Sequence, residues 1–191
     1  MSQVYQVRLT SSISRTLRAS DRMRHRVELS DILDEAQMKD ILREVLREAG
    51  WEEKEDGKFE TKGPNGETLV WDLDSNEVTA TLEDERDVSA DLDVTGRAGS
   101  QANARQAARN RLRQSEAQAE GQFSEAEVEL GQQISEQLEQ TEGERRKGLN
   151  KVLQKVYTEA LKRKAEELGS VVEVNESENG DEYELTIQVE A

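Results

Sequence analysis

Residues 99–168 contain no proline and are almost all helix formers, and charge in and beside this run comes in blocks of one sign. Arg97, Arg105, Arg109, Arg111 and Arg113 form a basic stretch with no acid in it. From Gln114 to Glu144 only acids occur: Glu116, Glu120, Glu125, Glu127, Glu129, Glu136, Glu139, Glu142 and Glu144. The sign then reverses, with Arg145, Arg146, Lys147, Lys151, Lys155, Lys162, Arg163 and Lys164 against Glu159 alone. Helices with such faces attract when antiparallel and repel when mispaired. The pattern predicts a helical module, folded on itself, between small β segments.

The run offers two internal starts. In Phe123-Ser124-Glu125-Ala126-Glu127-Val128, Ser124 can cap, Glu127 can answer it, and Phe123 with Val128 can form a hydrophobic staple. A start at Thr141 with Glu144, flanked by Gly143 and Gly148, is weaker. They divide the run into helices near 100–120, 124–141 and 144–168, a hairpin or three-helix segment. The rival is one rod of about 100 Å, at about 1.5 Å per residue.

Before the run, residues 3–9 alternate as a strand, with Tyr5, Val7 and Leu9 on one face. Residues 11–26 crowd arginines among serines and read as a loop or weak helix. A helix over 34–49 has every signal: Asp34 as cap, Gln37 at the third position, Leu33 and Met38 as staple, a Met38-Ile41-Leu42-Val45-Leu46-Ala49 stripe, and Gly50 as stop. A β meander follows: Lys58–Lys62, a Gly63-Pro64-Asn65-Gly66 turn, a strand with Leu69, Trp71 and Leu73, a turn at Asp74-Ser75-Asn76, and a strand with Val78, Ala80 and Leu82. Residues 83–98 are charged with little pattern and read as a linker. The end reads as a hairpin turning at Asn179-Gly180. Two strands alone are marginal, so the hairpin is expected to return to the N-terminal sheet.

The expected architecture is α+β: a small antiparallel sheet with one packed helix, 34–49, and an inserted helical segment. Its parts are an N-terminal α/β portion (1–82), a linker (83–98), the charge-blocked helices (99–168) and the hairpin (169–191).

Composition limits the function. A net charge of −16 opposes nucleic-acid and anionic-membrane binding, since both need a positive field. Cysteine is absent and His25 is the single histidine, which removes thiolate sites, cysteine nucleophiles and histidine-rich metal centres. No apolar run approaches a membrane span and no signal-peptide core opens the chain, so a soluble cytoplasmic protein is expected. Asp72, Asp74, Asn76 and Glu83 have calcium-loop spacing, but Glu77 stands where that loop needs glycine and the flanks read as strands, so a polar β-turn is the better reading. Trp51 and Trp71 are expected in the core. No phosphate loop, nucleophile elbow or catalytic constellation is present, so no enzyme, cofactor, metal or small-molecule ligand is expected. The candidate partner-binding residues are Arg15, Arg18, Arg22, Arg24 and Arg26 in the N-terminal cluster and Arg145, Arg146 and Lys147 at the start of the second basic block. For the N-terminal cluster, the competing reading is charge balanced by the chain's own acids.

Two segments carry a resemblance. The N-terminal strand with Ile41-Leu42-Arg43-Glu44-Val45-Leu46-Arg47-Glu48-Ala49-Gly50-Trp51, and Glu178-Asn179-Gly180-Asp181-Glu182 with Tyr183 to Val189, resemble pieces of the small accessory proteins of bacterial AAA+ (FtsH-type) ATPase ternary systems. The resemblance covers about a third of the chain, leaves out the charge-blocked helices, and transfers no active-site residue. It implies a non-enzymatic adaptor or subunit working with an AAA+ ATPase, bound to a protein partner or to itself. The alternative is a self-assembling structural or scaffold protein.

Overall fold

The helix expected at 34–49 forms as its end signals dictate. The Asp34 carboxylate accepts the Gln37 N–H at 2.9 Å, and the Gln37 side chain answers the Asp34 N–H, completing a capping box. Leu33 and Met38 are both buried. Gly50 ends the helix at φ +83°, where a side chain would be strained.

The computed structural model describes residues 4–179 and 182–190. Its elements are β1 (Tyr5–Arg26), α1 (Glu35–Glu48), β2 (Glu52–Glu53), β3 (Phe59–Lys62), β4 (Thr68–Asp72), β5 (Glu77–Ala98), α2 (Gln101–Gln140), α3 (Glu142–Leu168), β6 (Ser170–Asn179) and β7 (Glu182–Glu190). The fold is α+β, with a five-stranded sheet in the order β1-β5-β4-β3-β2 and a separate two-stranded sheet, β6-β7. The chain divides into two compact units: Met1–Asp21 with Glu83–Glu136, and Arg22–Leu82 with Gln137–Ala191.

In the second unit the meander pairs Phe59 with Trp71, Trp71 with Val78 and Leu69 with Ala80, which puts these side chains on one face of the sheet. That face is the core; Phe59 and Trp71 have no exposed surface, and Trp51 meets Trp71 edge-on with ring centroids 5.9 Å apart. The stripe of α1 (Met38, Ile41, Leu42, Val45, Leu46) is buried, and α1 packs against α3. In the first unit, α2 buries Ala104, Ala108, Ala119, Phe123, Leu130 and Ile134.

Four expectations change. Residues 11–26, read as a loop or weak helix, continue β1, and residues 83–98, read as a linker, continue β5. Residues 11–23 and 88–94 alternate with period two, but 83–87 are all exposed and Ser11, Arg15 and Ala19 occupy inward places on β1, so the apolar signal of a strand is diluted. The helix start expected at Ser124 lies inside α2, where the Ser124 hydroxyl donates to the Glu120 carbonyl one turn back at 3.0 Å. The break is instead single, at Thr141. Thr141 has φ −92° and ψ 1°, and helical bonds Thr141 N–H to Gln137 O and Arg145 N–H to Thr141 O bracket it. One residue off helical geometry leaves no loop for the expected hairpin. Lastly, the C-terminal strands do not join the N-terminal sheet; they pack on α3, where the Thr158 and Tyr183 hydroxyls lie 2.8 Å apart and Lys162 pairs with Glu176. A two-stranded ribbon needs one covered face, and α3 supplies it. Of the turn expected at Asn179-Gly180, Asn179 ends β6 and Gly180 lies outside the described residues.

Candidate interaction surface

A buried ion pair organises the second unit. Glu67 follows the Gly63–Gly66 turn, in which Gly66 takes φ +81° and donates its N–H to the Gly63 carbonyl at 3.1 Å. The turn aims Glu67 inward. Its Oε2 accepts the Asn65 N–H at 2.8 Å, and its Oε1 accepts Nη1 of Arg145, from α3, at 3.1 Å. Glu67 is 1% and Arg145 7% exposed. The Arg145 guanidinium also donates to the Thr141 hydroxyl and the Leu138 carbonyl. Burial pushes the Glu67 carboxyl up, but hydrogen bonds from its own and the Asn65 N–H, with Arg145, outweigh this and hold it below its ordinary 4.5. Arg145, expected to face a partner, is thus a structural residue.

Gly63 is required by this packing. A Cβ there would overlap the Glu67 carboxyl group. Gly63→Ala is expected to lower stability by about 1–3 kcal/mol in chemical denaturation. In a Glu67→Ala background, where the obstructing group is gone, the same substitution should cost much less.

Past Arg145 the exposed face of α3 is basic. Lys147, Lys151 and Lys155 follow one another at four-residue spacing, so they form one stripe. Among the described residues no ion pair engages them or Arg146, whereas Arg145, Lys162, Arg163 and Lys164 of the same helix each have at least one. Two grooves flank the wall made by Leu69, Arg145 and Leu149. One, of about 390 Å³, has Trp51 and Val152 in its floor and Lys62, Lys151 and Lys155 at its rim. The other, of about 300 Å³, has Val78 and Ala80 in its floor and Arg24, His25 and Arg146 at its rim. Both are mainly apolar depressions whose linings carry several cations and one acid each, Glu144 in the first and Glu142 in the second.

The N-terminal arginines are arranged differently. Arg15 points inward in the first unit and pairs with Glu127 at 2.7 Å and Glu120 at 3.9 Å, so these acids of α2 meet β1. On the outer face Arg18 pairs with Glu85 at 2.9 Å, as Arg8 does with Asp93. In the second unit Arg24 lies 3.6 Å from Glu77. Arg22 and Arg26 are exposed. The cluster is largely matched by the chain's own acids, and only Arg24 joins the grooves. Of the candidates at 145–147, Arg146 lines a groove and Lys147 opens the stripe. Lys62, Lys151 and Lys155 were not among the sequence candidates; the i, i+4, i+8 lysine spacing was the signal for the last two. Asp72, read as a turn residue, caps the turn N–H groups of Asp74 and Ser75.

A family model described as FtsH ternary system domain X5 matches residues 1–191. The chain belongs to that family, and the match includes the charge-blocked helices. Comparison with curated proteins and with solved structures found no match. Among the described residues, no helix is long and apolar enough to cross a membrane.

Proposed function

We propose that this member of the FtsH ternary system domain X5 family is a non-enzymatic adaptor or subunit of an assembly with an AAA+ ATPase, and that it docks an acidic protein surface on the cationic face of α3. The observation that carries this reading is the unmatched stripe Lys147-Lys151-Lys155, beside apolar grooves, in a chain with 42 acids and 26 basic residues. Unpaired like charges on one face repel one another, and an acidic partner relieves that repulsion while an apolar side chain fills a groove.

The test is co-purification with the AAA+ ATPase of its own system. Lys147→Glu, Lys151→Glu and Lys155→Glu together should weaken that complex by more than about tenfold at low salt, with unchanged thermal stability. An ATPase that never co-elutes, or a triple variant that binds as tightly, sinks the reading.

A further inference from the structure

Of the two grooves beside α3, the one over Trp51 and Val152 holds cations that the chain's own acids do not neutralise. Lys62 enters its lining from β3, and Lys151 and Lys155 enter from α3. Among the described residues no ion pair engages any of the three. Lys62 Nζ donates to the Thr68 hydroxyl at 2.7 Å, and an ammonium has further protons to give. The lining holds one carboxylate, Glu144, while the charge of Arg145 is taken up by Glu67. Beneath these groups the surface is apolar, with Trp51, Leu149 and Val152 all buried. The other groove is less free: its Arg24 already lies beside Glu77. Gly148 belongs to the first lining, one turn from both Glu144 and Val152. Glycine inside a helix is less favourable than alanine. A Cβ built at Gly148 meets no atom within 4 Å, so the residue leaves open space where a side chain on this face would stand.

Resting on the reading of α3 as a docking face, we propose that this groove receives the C-terminal residue of the partner chain. That residue is large and apolar, of the leucine kind. Its carboxylate lies among Lys62, Lys151 and Lys155, and its side chain lies over Trp51 and Val152. A chain terminus carries a carboxylate and an apolar side chain on one carbon. An internal acidic residue cannot offer both at one point. In an extended segment neighbouring side chains face opposite ways, and the next on the same face lies about 7 Å along. The groove's volume of about 390 Å³ sits near the lower end of the range of about 300–1,000 Å³ for small-ligand pockets. It has room for a residue or two and not for a helix. Ammonium groups beside an apolar floor attract a carboxylate more strongly than they would in open water.

The probe is an acetylated glycine-serine-glycine-leucine peptide with a free carboxylate. Its controls are the same peptide amidated at its end, and an amidated glycine-glutamate-glycine-leucine peptide whose negative charge is internal. In NMR titration of the full-length chain, the free acid should shift the indole N–H of Trp51 and the amides of Lys62 and Gly148. The amides of Val78 and Ala80, in the other groove, should stay in place. Both controls should bind more than about tenfold more weakly. Gly148→Leu fills the space from the protein's side, so it should abolish peptide binding with the melting temperature unchanged or raised. Lys62→Gln, outside the stripe of α3, should also weaken binding. No shift at millimolar free acid overturns the proposal, as does equal binding by either control. The two readings fail separately. A Gly148→Leu chain that keeps its ATPase complex, while the triple lysine variant loses it, overturns the tail pocket and leaves the cationic face. A triple variant that keeps the complex, while the free acid binds the unaltered chain as expected, sinks the cationic face as the ATPase's dock and supports the pocket.

Discussion

Glu67→Ala is expected to destabilise the second unit by about 3–5 kcal/mol, because it leaves the Arg145 charge buried without its partner. For a chain of this size that is a fall in melting temperature on the order of 10 °C. Trp51 and Trp71 are the protein's only tryptophans and both lie in this unit, so their fluorescence during urea unfolding reads it directly. Replacing the pair together, Glu67→Leu with Arg145→Met, should cost less than the single change, since no charge is then stranded. The same group sets an acid limit. The folded carboxyl ionises below its ordinary 4.5, so its contribution is complete above that value and is lost as pH falls through the folded value. Glu67→Gln, which cannot titrate, should be less stable at neutral pH and lose less further stability on acidification. Equal acid sensitivity in both proteins would show that Glu67 does not govern it.

The second large effect is expected in the first unit, at Gly96. A Cβ built there overlaps the Ala104 carbonyl oxygen and the Ala108 nitrogen and methyl, so β5 and α2 touch through backbone and alanine. The glycine is needed for room, as its φ is not in the left-handed region. Ala104 and Ala108 have no exposed surface, so nothing nearby can yield cheaply. Gly96→Val should cost about 3 kcal/mol or more by prising the start of α2 from the strand. Amide exchange over residues 104–120 should accelerate while tryptophan fluorescence still reports an intact second unit. Unchanged exchange there would mean that this contact does not hold α2.

The helices show what could be read too early. Phe123-Ser124-Glu125-Ala126-Glu127 has the composition of a cap, yet a cap needs the preceding chain to leave helical geometry, and nothing there makes it do so. A longer-range signal was present. Ala108, Ala119 and Leu130 are spaced 11 and 11 (119 − 108, 130 − 119), and Phe123 and Ile134 again by 11 (134 − 123). That interval is about 3.67 residues per turn, close to the natural 3.6, so one uninterrupted helix keeps all of them on one stripe. Packing of that stripe outweighs a local cap worth about 1 kcal/mol. The interaction surface was half legible for a similar reason. Arg146 and Lys147 stood out as a charge run, but that Arg145 between Glu144 and Arg146 turns inward depends on Glu67, 78 residues away in sequence.

What the sequence by itself determined is whatever neighbours along the chain decide: the capped helix at 35–48, the glycine turns, the alternation of the meander, and the sign of each charge block. Bonds closed within a few residues fix these, and the residues concerned carry their own partners. Only the tertiary structure decided which charges are neutralised and which remain bare, that β1 and β5 extend through segments too polar to announce themselves, and that the C-terminal ribbon lies on α3. Those outcomes turn on contacts between residues far apart in the chain, where burial and pairing outweigh the small differences in local preference that a sequence displays.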